Sequence, residues 1–145
     1  MKKFLILCLF FLMSITKAEE MHQLIEIKNA FVLTTAPNQT NSAIFLDLIN
    51  HSDKELKLIG ASTQNAELVE LHTHKKEKGQ MIMLKLQSIL IKPHTTHKFE
   101  SHGDHIMLLN LKKPISDKDK IDLILRFDDG SNFEIKNISA KSMLH

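Results

Sequence analysis

The chain has no tryptophan and no tyrosine, and a single cysteine, Cys8, among 145 residues. That cysteine lies in the only long apolar run, "FLILCLFFLMSI", which follows Lys2 and Lys3 and precedes the small-residue stretch "TKA". A basic start, a short apolar segment and a small-residue site make a secretory signal, with cleavage expected after Ala18. The run is short for a membrane span, which takes roughly 20 residues. A lipoprotein signal would want a small residue before the cysteine, and Leu7 stands there. The exported chain is therefore expected to be residues 19–145, one domain with neither disulfide nor thiol. Removal of Lys2, Lys3 and Lys17 takes the basic residues from 19 to 16 against 17 acidic ones, and the net charge from +2 to −1. There is no clustered basic face, so nothing points to nucleic acid.

No apolar stripe of helical period runs beyond the signal, and there is no linker or repeat. Instead, short apolar segments alternate with turn signals. "LIEIKNAFVL", "AIFLDLINH", "LKLIGAST", "AELVELHTH", "QMIMLKLQ", "SILIKP", "HIMLLNLKKP" and the pair "IDLILRF" and "NFEIKNI" around "DDGS" read as strands. About eight strands at roughly 8–12-residue spacing predict an all-β sandwich or barrel.

Histidine and methionine are plentiful. All nine histidines lie beyond residue 18, with Met21, Met81, Met83, Met107 and Met143. Side chains two apart on a strand share a face. In "ELVELHTH", Val69 and Leu71 alternate with His72 and His74. In "QMIMLKL", Met81, Met83 and Lys85 lie opposite Ile82, Leu84 and Leu86. In "HIMLL", His105 and Met107 lie opposite Ile106 and Leu108. The charged turn "KKEKG" joins the first two segments, so His72 and Met83 are expected as cross-strand neighbours. Two imidazoles and two thioethers, from His72, Met83, His105 and Met107, form a neutral, soft donor set that favours Cu(I). Zinc prefers thiolate, imidazole and carboxylate, and calcium prefers oxygen. His74 is a candidate auxiliary ligand and Met81 an alternative to Met83 or a gap filler. His51, His94 and His97 read as solvated loop residues and His102 as a turn residue. Glu70 and Asp104 are candidates to orient a ligand histidine.

His72, ten residues, Met83, twenty-one residues, then "HIM" ending at Met107: this spacing resembles the metal motif of the periplasmic Cu(I) chaperones of the PCu(A)C type. "VELHTH", "GQMIM", "GDHIMLLNLKKP" and "LRFDDGSNFEI" are similar to segments of that family, over about residues 25–138. The resemblance implies a cupredoxin-like Greek-key β-sandwich or barrel. It implies one Cu(I) per chain, held by His72, Met83, His105 and Met107 near the surface. It also implies delivery toward the CuA site of cytochrome c oxidase, often beside a Sco-type thiol protein, and no enzymatic step. Members often carry tryptophan near the first strand, where this chain has Phe31. Some carry a metal-binding tail, of which only Met143 and His145 are present here.

Other classes fit less well. A blue-copper electron carrier needs a cysteine ligand. A zinc or copper enzyme would cluster its histidines around an open position. A copper-scavenging or resistance protein, and a metal-free immunoglobulin-like interaction domain, remain as alternatives.

Overall fold

A computed structural model of the chain describes residues 24–142. The expected signal segment, Met21, Met143 and His145 lie outside the described residues. No helix among the described residues is long and apolar enough to cross a membrane.

Ten strands account for the regular structure: β1 (Ile25–Leu33), β2 (Ser42–Asn50), β3 (Leu56–Ser62), β4 (Ala66–Glu77), β5 (Gln80–Leu86), β6 (Ile89–Ile91), β7 (Thr96–Phe99), β8 (His105–Leu111), β9 (Lys120–Phe127) and β10 (Asn132–Lys141). The expected all-β class is what forms, with ten strands: nine arise from the segments quoted above, which the count of about eight understates. The unforeseen strand is β7, whose sequence "THKF" has no apolar alternation to announce it.

The strands join in the order β5-β4-β8-β2-β1-β10-β9-β3-β6, and β7 pairs with the far end of β2. β2 changes partner along its length. Ser42, Ala43 and Ile44 face β8, while Leu46 to Ile49 face β7. β1 runs parallel to β10 and antiparallel to β2, and so links the two halves of the sandwich. Bulges bend the sheet at Lys28–Phe31 and Ile135–Ile138. Asn29 (φ 54°) and Asn137 (φ 57°) supply the left-handed backbone there, a conformation asparagine tolerates better than most residues.

Alternation decides what is buried. β9 alternates exposed and buried residues throughout, with Ile121, Leu123, Leu125 and Phe127 inward. β2 is buried almost continuously, because both of its faces are covered. Ile44, Leu46, Leu48, Leu58, Ile106, Leu108, Leu123 and Leu125 are almost wholly excluded from solvent. Each such side chain contributes about 1.5–3 kcal/mol through burial.

Candidate metal centre

The centre is built on three neighbouring strands, β5, β4 and β8. The β4–β5 turn sets the first register. Glu77 pairs with Gln80, so the turn is only Lys78 and Gly79. Both have positive φ, 48° and 83°, the pattern of a tight type I′ hairpin. β4 is therefore longer than "KKEKG" implied, and the pairing shifts accordingly. Met83 lies directly opposite His74, and His72 lies opposite Lys85. The expected neighbours His72 and Met83 are thus diagonal rather than directly paired. On the other side of β4, His72 pairs with His105 and Glu70 with Met107. His72, His74, Met83, His105 and Met107 consequently occupy one face of three adjacent strands, the face opposite Leu71, Ile106 and Leu108.

The rings are close. The His72 and His105 centroids are 5.9 Å apart, and His74 stacks on His105 at 4.9 Å with 24° between the planes. His105 is buried, at 2% exposure, whereas Met83 is 46% exposed. The group therefore runs from the interior out to the sheet margin. A cleft of about 270 Å³ opens beside it, walled by His74, Met83, His105 and Met107, with Ala43 and Phe45 from β2. His72 is not part of this lining.

Hydrogen bonds assign the ring protons. His105 Nδ1 lies 3.1 Å from the Gly103 carbonyl oxygen, which can only accept. The proton sits on Nδ1, leaving Nε2 with the lone pair. His72 Nε2 lies 2.7 Å from Glu70 Oε2. It donates to that carboxylate, leaving Nδ1 with the lone pair, and His72 Nδ1 is buried without a partner. His74 Nδ1 is likewise buried and unpartnered. Buried ring nitrogens without partners are uncommon, because each costs the desolvation of a polar atom. They are the kind of donor a metal ion would satisfy.

Charge supports the same protonation. Burial pushes His105 below its ordinary value, and the neighbouring His74 and His72 add to this against the Gly103 carbonyl and Asp104, which favours the neutral ring. The hydrogen bond from Lys85, then that from His72, holds Glu70 below the usual carboxylate range. A carboxylate–histidine pair of this kind fixes ring orientation and raises donor strength. The second acidic candidate acts elsewhere. Asp104 accepts from His97 Nε2 at 2.9 Å, so His97 is a half-buried strand residue against Phe99 rather than a solvated loop residue. His51 and His94 are exposed and pair with Glu26 and Asp53. His102 stands 6.4 Å from His74 at the mouth of the turn.

Among the described residues, no three His, Cys, Asp or Glu side chains form a metal-holding group by themselves. The thioethers of Met83 and Met107 add two further donors on the face that carries the imidazoles. Phe31, in the position where the resembled family often has tryptophan, packs against Phe45 at 5.3 Å with the rings tilted by 50°, and Phe45 lies 6.3 Å from His105. The first strand therefore reaches the centre through one intervening ring, a link that the linear sequence does not reveal.

A family model with the description "Putative lipoprotein LpqE-like" matches residues 25–138. The chain belongs to the LpqE-like family. Lxx21020 of Leifsonia xyli subsp. xyli, which carries the same lipoprotein designation, is 31% identical to this LpqE-like chain over 108 residues. The match covers 74% of the chain and 64% of the relative, so the chain spans less than two thirds of that protein. The fold is the cupredoxin-like PCuAC fold. The copper-bound PCuAC domain from PmoF2 superposes with a TM-score of 0.68 at 16% identity, covering 82% of the chain and 93% of the domain. The solution structure of apo-DR1885 from Deinococcus radiodurans gives 0.63 at 27% identity, covering 83% and 80%. That of CuI-DR1885 gives 0.60 at 27% identity, covering 80% and 77%.

Proposed function

We propose that this LpqE-like chain is an exported Cu(I) carrier that binds one ion through His72, Met83, His105 and Met107. It then passes the ion to a stronger acceptor without a chemical step. The observation that carries the reading is the pairing of buried imidazoles, whose protons are committed to Glu70 and to the Gly103 carbonyl, with two thioethers on the same face. The copper-bound PCuAC domain of PmoF2 and CuI-DR1885 share the fold, which supports the same cargo here.

The donor set is neutral, so the loaded site keeps the single positive charge of the ion. Thioethers are soft but weak donors, and thiolates hold Cu(I) more strongly. Transfer to a Sco-type thiol protein, and onward toward the CuA subunit of cytochrome c oxidase, is downhill. The exposed Met83 gives an incoming ligand its point of attack. Export fits the expected signal at residues 1–18 and the lipoprotein designation of the family.

The test is an anaerobic Cu(I) titration of residues 19–145 against a competing chelator, with X-ray absorption at the copper edge. One copper per chain with mixed nitrogen and sulfur scattering is expected, followed by transfer to a reduced dithiol acceptor. Binding no stronger than the chelator background overturns the carrier reading. Binding without transfer to the dithiol favours scavenging over delivery.

A further inference from the structure

We propose that His74 is a copper ligand in its own right, sharing the cleft with Met83, His105 and Met107, while His72 serves as a second imidazole outside its lining. The inference rests on the copper reading above and changes which side chains hold the ion. Three independent observations carry it. The two-residue turn places His74, and not His72, directly opposite Met83. His74 lines the cleft together with Met83, His105 and Met107. Its Nδ1 is buried with no hydrogen-bond partner, although the ring packs flat on His105.

The surroundings of the two rings differ in a way that separates their roles. His72 is tied through Glu70 to Lys85, an arrangement that fixes it in place. Among the described residues, no carboxylate is hydrogen-bonded to His74. Its backbone N–H donates to the Gly103 carbonyl across β4 and the turn before β8. Of the two β4 imidazoles, His74 is therefore the one that lines the cleft and the one less restrained by other polar groups. With five donors for an ion that takes about four, one donor can leave as an incoming sulfur arrives. The ion is not released to water in between.

The experiment compares wild-type protein with His74→Phe, His72→Phe and His74→Met. Cu(I) affinity is measured by anaerobic chelator competition and the coordination shell by X-ray absorption. Amide spectra of the metal-free proteins report folding. His74→Phe keeps a ring against His105 and is expected to weaken binding at least about tenfold, with one nitrogen lost from the shell. His74→Met is expected to restore affinity to within about threefold and to exchange one nitrogen for one sulfur. Wild-type affinity and an unchanged shell in His74→Phe, with loss in His72→Phe, overturn the proposal and leave the carrier reading intact. If His74→Phe does not fold, His74→Met decides. A nitrogen-to-sulfur exchange supports the proposal, and an unchanged shell overturns it. Absence of copper binding by the wild-type protein overturns the carrier reading and this proposal together.

Discussion

Asn50, at the end of β2, is fully buried and its side chain makes five hydrogen bonds, so Asn50→Leu is a stringent test of how the sandwich is closed. Its Nδ2 donates to the carbonyl oxygens of Lys54 at 2.8 Å, Ile91 at 3.1 Å and Lys92 at 3.2 Å. Its Oδ1 accepts from the backbone N–H of Ser52 at 3.0 Å and from Ser52 Oγ at 2.7 Å. One side chain thus ties the turn after β2 to the strand end after β6. Leucine has a similar volume but leaves the Ile91 carbonyl and the Ser52 N–H without partners. Each abandoned buried group costs about 1–3 kcal/mol. The Lys54 and Lys92 carbonyls are only partly buried and recover much of their loss through water. The expected destabilisation is about 4 kcal/mol, a large part of the roughly 5–15 kcal/mol that holds a typical domain together. For a domain of this size that corresponds to a fall in Tm of about 15 °C. Urea unfolding of the metal-free protein, followed by circular dichroism, should show a lower midpoint with an unchanged slope. A destabilisation below about 1 kcal/mol would refute the reasoning. The copper affinity of the folded fraction should not change, because Asn50 lies outside the β4–β5–β8 face.

Further outcomes follow from the centre and its surroundings. Met107→Leu preserves volume, so stability should change by less than about 1.5 kcal/mol, while Cu(I) affinity falls about 10–100-fold in chelator competition. Glu70→Gln loosens His72 and should cost up to about tenfold in affinity. Asp104→Asn releases His97 and should leave affinity within about twofold, so equal effects of the two would contradict the assignment of Glu70 to the centre. Asp119 is held below its ordinary 3.8 by the Ser116 N–H, the Ser116 hydroxyl and Lys113, and Glu70 and Glu26 are held below 4.5. Lowered carboxylates add stability above their unfolded values and lose it as pH falls through their folded ones. The urea midpoint of the metal-free protein should therefore decline on acidification from pH 5 to pH 3. Asp119→Asn should flatten part of that decline, and a midpoint that rises with acid would contradict the sign.

The parts of the fold that could be read in advance share a physical origin. β9 alternates throughout, and β10 alternates up to its bulge, on either side of Gly130, whose φ of 82° favours glycine in the turn, so periodicity alone exposes the hairpin. β7 has no such signal. Its pairing with β2 depends on a partner about 50 residues earlier in the chain. At the centre, alternation correctly places His72, His74, Met83, His105 and Met107 on one face. What alternation does not specify is register. "KKEKG" is compatible with several loop lengths, and only the two-residue turn at Lys78 and Gly79 pairs Met83 with His74. Adjacency misled in the case of Asp104, whose partner His97 comes from β7, the strand that had no signal.

β5 forms one end of the sheet order, hydrogen-bonded to β4 along a single side. None of its seven residues is buried, yet it carries Met83. His105 and Met107, by contrast, lie on β8, between β4 and β2. Fraying of such a margin costs far less than unfolding the domain. A bound ion would lose its outermost sulfur first, while its inner donors stayed in place. How long the ion stays and how long the protein survives are then governed by different free energies. Substitutions that strengthen the core around Leu108 and Leu123 would lengthen the life of the protein without lengthening the stay of its cargo.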